Sequence, residues 1–466
     1  MSQNKKQNET DALGTERVGK LLFKLAIPAI TAQMVNLLYN VVDRMYIGHI
    51  EGIGKLALTG VGICLPLILL VSAFAALVGM GAAPRASIYL GKGEKDNAEG
   101  TLGNSFVLLL CISAVLTIIL IVFGEKLLLS FGASENTIGY AMQYMGIYCI
   151  GTVFVQMTIG LNPFISAQGF AKMSMLTVCI GAGCNIILDP IFIYGFGLGV
   201  RGAALATILS QAVSGTWVLR FLTGKKTTLR LKRCNMKLRK EWYLPSLALG
   251  LSPFVMQSTE SLISVCFNSS LLKYGGDIAV GSMTILASVM QLAVTPLVGL
   301  MQGAQPIASY NFGAGKIDRV KKVFRLLFTI CLTYSMSVWL MVMINPEFFV
   351  HIFNDDPELT AFAAHALRIY MGATGIFGIQ VVCQHTFIAL GNAKSSLFLA
   401  LFRKVIVLVP LIYLMPVIVP GILQVDKTTA VFMAEPVADF IAVVTTATMF
   451  GIQFTKLGKT EKGEYR

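Results

Sequence analysis

Long apolar runs separated by short polar connections recur twelve times along the chain. Each run is long enough to cross the hydrocarbon core of a bilayer, which takes about 20 helical residues. Backbone groups in lipid must be hydrogen-bonded within their own segment, so the runs predict helices; the short alternating segments of a membrane barrel do not occur in the sequence. The predicted spans are 22–46, 57–83, 103–123, 137–162, 174–194, 202–222, 246–271, 280–304, 323–344, 360–388, 396–419 and 428–453.

The composition agrees with a membrane protein. Hydrophobic residues make up 55% of the 466 residues, charged residues only 13%, and the mean hydropathy is +0.72. An average soluble domain carries about 25% charged residues, so the sequence excludes an ordinary soluble enzyme. The net charge is +13, and 30 of the 37 Lys and Arg residues fall in alternate connections on one side of the predicted spans. Positive residues concentrate in cytoplasmic connections, so both termini are predicted to be cytoplasmic. The same bias explains the net positive charge, so no nucleic-acid partner is predicted.

An internal repeat divides the chain into two halves. Residues 81–87 align with 303–309 at an offset of 222 residues, and residues 169–172 align with 391–394 at the same offset. Six predicted spans fall in each half, which makes the repeat parallel, about an axis along the membrane normal. The predicted fold is an all-α polytopic membrane protein of twelve helices in two six-helix bundles. The predicted parts are an N-terminal cytoplasmic tail (1–21), an N-lobe (22–222), a basic cytoplasmic linker (223–245), a C-lobe (246–455) and a C-terminal cytoplasmic tail (456–466).

Polar side chains inside the spans of the first half indicate an ion site. Gln33, Asn36, Asn40 and Asp43 follow one another at helical spacing on one face of the first span. Placing an ionisable residue at membrane depth costs free energy, so Asp43 is a candidate functional residue.

The fifth span carries a second acid. Asn185 and Asp189 lie four residues apart on one face, followed by Pro190, which frees the carbonyl of Ile186. An acid, an amide and a free carbonyl together favour a proton or hard-cation site.

The second half offers a different set of polar residues. Gln257 and Glu260 share one face of the seventh span, and Glu435 and Asp439 form a four-spaced acid pair in the twelfth. The acid pair has two interpretations. It contributes to a binding site, or it pairs structurally with Arg403 or Lys404.

The sequence resembles the multidrug and toxic compound extrusion (MATE) family, and most of all its MepA-like bacterial branch. The resemblance rests on Pro28 and Asn40-Val41-Val42-Asp43, on the repeated Gly-x-x-Pro and Gly-x-Gly turns, and on the run from Asn185 to Thr207 that contains Asp189-Pro190 and Gly199-Val200-Arg201-Gly202.

This resemblance implies a V-shaped pair of lobes. Asp43 and Asp189 match the family's cation-coupling carboxylates, and Asn162, Asn185 and Thr207 match the polar residues around them. Glu260 matches an acid that the NorM branch uses in its C-lobe; the acid which that branch places in the tenth span has no counterpart between residues 361 and 388. We expect the other candidate substrate-binding residues to be Gln33, Asn36, Asn40, Gln257 and Asp439.

The expected activity is secondary active efflux of cationic amphipathic compounds in exchange for protons or sodium, by alternating access. We expect a monomer in the bacterial cell (inner) membrane, in contact with lipid, with no enzymatic activity, no structural metal and no cofactor beyond the coupling proton or sodium. If sodium couples, Asp43 and Asp189 are its expected ligands. The alternative is a lipid-linked oligosaccharide flippase, which would need a cavity lined by Arg and Lys.

Overall fold

The computed structural model describes residues 2–353 and 356–457, and the described residues form helices joined by short turns. The helices are α1 (Ser2–Thr15), α2 (Val18–Gly48), α3 (Gly54–Lys92), α4 (Lys95–Ser130), α5 (Ile138–Ala167), α6 (Ala171–Pro190), α7 (Val200–Thr223), α8 (Lys240–Gly313), α9 (Ile317–Ile344), α10 (Pro346–His351), α11 (Pro357–Tyr370), α12 (Thr374–Ala389), α13 (Ala393–Leu401), α14 (Val409–Leu423), α15 (Lys427–Phe432) and α16 (Ala434–Leu457). Two π-helical turns, Ile191–Gly195 and Phe402–Leu408, follow α6 and α13, and a 3₁₀ turn occupies Arg233–Met236.

These helices supply the twelve predicted crossings. Ten helical segments of the described chain are long and apolar enough to span a membrane. The 74-residue α8 counts as two crossings because its backbone breaks at Gly276, where φ is +65°. Glycine adopts this left-handed conformation without a steric penalty. The twelfth crossing is the pair α11 and α12, bent by 49°. The predicted all-α class is confirmed.

The helices extend further than the apolar runs. The second predicted span, 57–83, lies within α3, and the third, 103–123, lies within α4. Hydropathy detects only the part of a helix that matches the hydrocarbon layer, and the polar turns beyond it remain helical. The predicted C-terminal tail lies almost entirely outside the described residues.

The segment predicted as an N-terminal tail is helical and packed. Leu13 is fully buried, and its carbonyl accepts a hydrogen bond from Asn311 Nδ2 at 2.8 Å. Thr10 Oγ1 donates to the carbonyl of Gln168 at 3.1 Å. Arg319 donates to the carbonyl of Glu16 at 2.8 Å. The segment around α1 therefore touches both halves of the molecule, here residues 18–223 (the N-half) and 240–457 (the C-half).

The two halves meet through backbone at the end of the bundle that carries α1 and residues 224–239, which we call the linker end. A methyl group on Gly303 would lie 2.5 Å from Ala26 Cα, and one on Gly299 would lie 2.6 Å from Ile30 Cα. Ordinary carbon–carbon contacts are about 3.5–4.0 Å, so only glycine allows this approach. Similarly close approaches between the halves occur at Gly81, Gly91, Gly250 and Gly313.

Hydrophobic packing follows the same division. Leu21 and Leu25 of α2 share a buried cluster with Leu297 and Leu300 of α8. Nearer the opposite end, the buried clusters belong to one half each. We call the glycine contacts and this shared cluster the seal.

The basic linker is fastened to the N-half. Gln168 Oε1 accepts hydrogen bonds from Thr227 Oγ1 and from the backbone N–H groups of Thr228 and Leu229, each at 2.8 Å. The buried carboxylate of Glu99 pairs with Lys232, and this hydrogen bond raises the pKa of Lys232 above its ordinary value. The linker is therefore a docked element and not a free tether.

Candidate functional site

The two acids predicted as the coupling pair meet near the end of the bundle opposite the linker. α2 presents Asp43 about one turn before its end, and α6 presents Asp189 just before Pro190. Their carboxyl groups are near enough to interact directly. Asn185, one turn earlier on α6, donates from Nδ2 to Asp189 Oδ1 at 3.3 Å. Two neighbouring carboxylates repel each other, so a proton or another cation bound between them is favourable.

Four side-chain oxygens in this group are buried and have no hydrogen-bond partner among the described residues. They are Asp43 Oδ1, Asn185 Oδ1, Asp189 Oδ2 and Thr207 Oγ1. Buried polar atoms are nearly always paired, so this group has binding capacity that the protein itself does not use. Carboxylate, amide and hydroxyl oxygens are the ligands of hard cations. The arrangement can bind a proton at a carboxyl group or a small cation among the oxygens.

Three tyrosines complete the wall of this site, and sequence reasoning missed them. Tyr39 faces Asp43 and Asp189, and Tyr144 faces Asp43 and Thr207. Tyr144 and Tyr148 stack with ring centroids 6.1 Å apart. The signal was the four-residue spacing of Tyr39 from Asp43, and of Tyr148 from Tyr144, because residues four apart share a helix face.

One predicted member of the site lies elsewhere. Asn162 donates from Nδ2 to the carbonyl of Ser174 at 3.3 Å. Ser174 precedes Asn185 by eleven residues on α6, which is about 16 Å at 1.5 Å per residue. Asn162 therefore sits nearer the linker end and does not join Asp43 and Asp189.

The polar face of the first span has divided roles. Gln33 Nε2 donates to Gln302 Oε1 at 2.9 Å, so Gln33 joins the halves instead of facing an open site. Asn36 and Asn40 are exposed, and Asn40 Nδ2 donates to the carbonyl of Asn36 at 2.6 Å. These two asparagines stay available as binding residues.

The seventh-span acid has a basic partner. Lys404, on the π-helical turn Phe402–Leu408, donates to Glu260 Oε1 and also to the carbonyl of Met256, the latter at 2.8 Å. The Lys404 side chain is 5% exposed, whereas the Glu260 side chain is 61% exposed. Gln257, one residue after Met256, is half-buried.

The twelfth-span acids are locked in an ion-pair network, which corrects one prediction. Arg403 contacts Asp439 Oδ1 through Nε at 2.7 Å and Glu435 Oε1 through a terminal nitrogen at 3.0 Å. The side chain of Asp439 is only 1% exposed. Asp439 was expected to bind substrate; its burial and its pairing with Arg403 agree instead with the second interpretation, a structural ion pair. Arg403 and Lys404 were also counted with the cytoplasmic charges, whereas the structure buries both inside the C-half.

The two halves described above correspond to two copies of one family unit. Residues 28–191 and 253–414 both match the family model described as MatE. The chain belongs to the MatE family. Together the two matches cover well over half of the chain, so the predicted resemblance is confirmed.

Named relatives of this MatE chain are bacterial exporters. Multidrug export protein MepA of Staphylococcus haemolyticus strain JCSC1435 is 25% identical over 404 residues, covering 85% of this chain and 86% of that protein. The crystal structure of MATE in the bent conformation superposes with a TM-score of 0.89 at 23% identity, covering 97% of this chain and 98% of that one. An outward-facing conformation of a multidrug resistance MATE family transporter gives a TM-score of 0.86 at 22% identity, with 96% and 98% covered.

Membership of the MatE family fixes the general class of the protein. It is a multi-pass membrane transporter of a multidrug efflux family and not an enzyme. The structural matches establish the fold alone, since their identities lie below 25%.

Proposed function

We propose that this chain is an antiporter that exports cationic amphipathic compounds in exchange for protons or sodium. The observation that carries the proposal is the carboxyl pair Asp43 and Asp189 with its unpaired buried oxygens. A coupling ion that binds there replaces the missing interactions and removes negative charge from the N-half.

The contacts between the halves support alternating access. The seal closes the linker end, and the ring contact of Phe74 with Phe254, at 4.9 Å between centroids, adds to it. Beyond these contacts the polar residues Asn36, Asn40 and Glu260 are exposed. A cleft between the halves is therefore open towards the opposite end, and the reverse arrangement would open the linker end.

The remaining assignments follow from this arrangement. The linker end faces the cytoplasm, which puts the N-terminus and the basic linker against the inner leaflet. The lobes 22–222 and 246–455 are the moving bodies. The protein acts as a monomer in the bacterial inner membrane. A flippase is not favoured, because Arg403 and Lys404, the basic residues beside the cleft, are already paired with carboxylates.

The coupling ion changes the equilibrium between the two states only if it binds them with different affinity. In the state described here the pair is buried beside an open cleft. We propose that the ion is taken up from this side, that the cationic cargo leaves as negative charge is lost, and that release of the ion on the linker side restores the charge.

Dye efflux from proteoliposomes tests the proposal, with the pH gradient and the sodium gradient imposed separately. Asp43→Asn and Asp189→Asn should each reduce gradient-driven efflux at least tenfold while leaving protein yield unchanged. Asp318→Asn, which makes the same change on an exposed residue of the linker end, is the matched control and should transport normally. Gradient-driven efflux by either site variant at the wild-type rate would overturn the assignment.

A further inference from the structure

The ion pair between Lys404 and Glu260 places a charged amine inside the membrane span. Lys404 lies eleven residues after Ala393 in the 31-residue span Ala393–Leu423, about 16 Å along the helix and within the part that a hydrocarbon core of about 30 Å would cover. A lysine at that depth is unfavourable unless it has partners or water. Its Nζ has two partners, the Glu260 carboxylate and the carbonyl of Met256.

The two members of this pair are exposed very differently. The lysine side chain is 5% exposed, whereas the carboxylate-bearing side chain of Glu260 is 61% exposed. Arg403, the next residue, instead pairs with the buried acids Glu435 and Asp439. Of the two basic residues, Lys404 is therefore the one whose acidic partner, Glu260, is exposed.

The charges of the cluster nearly balance. Three carboxylates (Glu260, Glu435 and Asp439) face two basic groups, which leaves one net negative charge. Without Lys404 the excess would be two negative charges, and the second would reside on the exposed carboxylate. Lys404 therefore controls the attraction that the C-half exerts on a cation in the cleft.

We propose that Lys404 is a specificity-determining residue that occupies Glu260 as a tethered cation, so that a cationic cargo binds at Glu260 only by competing with it. The inference rests on the proposed function, since it requires cationic cargo in the cleft. As a consequence, a cargo binds at Glu260 only if its interactions there outweigh those of Lys404. A weakly interacting cation does not displace the lysine, whereas a cargo with an additional apolar surface gains enough from the neighbouring Met256 and Phe377 to do so.

The π-helical turn supports this role. Phe402–Leu408 interrupts the regular helix at the two basic residues, and π-turns inside helices are frequent at functional sites. A compact ammonium on a flexible stem also releases a partner more readily than a planar guanidinium, which suits Lys404 for exchange and Arg403 for a fixed network.

The test is equilibrium binding of two fluorescent dyes to the purified full-length protein in nanodiscs, without any ion gradient. One dye is a monovalent aromatic cation, ethidium, and the other is an uncharged amphipathic dye, Nile red. Lys404→Gln should tighten ethidium binding about tenfold and leave Nile red binding unchanged. Lys273→Gln, which removes an exposed lysine of the same half, is the matched control and should change neither.

Combined and conservative variants separate competition from a structural effect. Lys404→Gln combined with Glu260→Gln should lose the gain and bind ethidium as Glu260→Gln alone does. Lys404→Arg keeps a competing charge at Glu260 and should show no gain in ethidium affinity. If the Gln variant proves unstable, Lys404→Met makes the same charge change with a side chain suited to a buried site.

Two outcomes overturn the inference: wild-type ethidium affinity in Lys404→Gln and Lys404→Met, or an equal gain for ethidium and Nile red in those two variants. Failure of the coupling proposal would be separate, because it would show as normal gradient-driven efflux in Asp43→Asn and Asp189→Asn whatever the dye affinity of the Lys404 variants.

Discussion

The Arg403 network gives the most direct prediction about stability. Arg403→Met removes a guanidinium that contacts Asp439 Oδ1 at 2.6 Å and Glu435 Oε1 at 3.0 Å and that stacks on Phe377, with its central carbon 4.8 Å from the ring centroid. The two carboxylates left behind are 1% and 7% exposed. Lys404 does not replace the lost charge, because its amine is held by Glu260 and by a backbone carbonyl.

The size of the expected loss of stability follows from the burial of the Glu435 and Asp439 carboxylates. Removing one partner of a buried ion pair costs about 3–5 kcal/mol, because the other charge remains in a poorly solvated place. At about 2 °C per kcal/mol for a large domain, the apparent melting temperature should fall by roughly 6–10 °C. Neutralising all three members together leaves no buried charge, and such replacements are often close to neutral. The triple variant Arg403→Met, Glu435→Gln, Asp439→Asn should therefore recover most of the loss.

The assay is thermal unfolding of the purified protein in detergent, followed by intrinsic fluorescence. Asp439→Asn alone should fall between the wild type and Arg403→Met, since Arg403 keeps Glu435 as a partner. The reasoning fails if Arg403→Met melts like the wild type, or if the triple variant is as unstable as the single one.

Two further predictions concern the linker end. Gly303→Ala should force α2 and α8 apart, so that a cysteine introduced at Ala26 in a cysteine-free background reacts faster with a membrane-impermeant maleimide. Gly183→Ala, whose added methyl meets nothing within 4 Å, should not raise this reactivity, and equal reactivity in both variants would contradict the tight seal. Gln168→Ala removes the acceptor of three linker hydrogen bonds and should speed tryptic cleavage after Lys225 severalfold. Asn345→Ala, which deletes a helix-capping side chain elsewhere, should leave the cleavage rate unchanged. An unaltered rate in Gln168→Ala would show that the linker is held by other contacts.

Much of the coupling site was predictable from helical spacing alone. Asn185 and Asp189 share a face because they are four apart, and Asp43 ends a polar stripe on its own helix. Spacing states nothing about which helices pack together. The position of Asn162 depends on the tight turn between α5 and α6, which sets its level against Ser174, and that turn leaves no trace in the hydrophobic pattern.

The C-half shows the same limit more strongly. The acid pair of the twelfth span had two interpretations, and only the packing of α16 against the π-helical turn selects the ion pair of Asp439 with Arg403. Hydropathy also assigned the N-terminal segment to a tail, because its outward face is polar. Among residues 9–15 of α1, Leu13 is the one large apolar side chain that is buried. One apolar residue does not produce a detectable period.

The seal described above consists of glycines, backbone carbonyls and a cluster of mainly aliphatic side chains, and none of these groups carries a formal charge. In the proposed mechanism, a proton or a sodium ion bound at Asp43 and Asp189 therefore affects the seal only through movement of the helices. Helix α2 spans the distance, with Ala26 at the glycine contact and Asp43 seventeen residues later, about 26 Å away. In that mechanism, the stiffness of the roughly five helical turns between these two residues sets how much of the ion's binding energy reaches the seal.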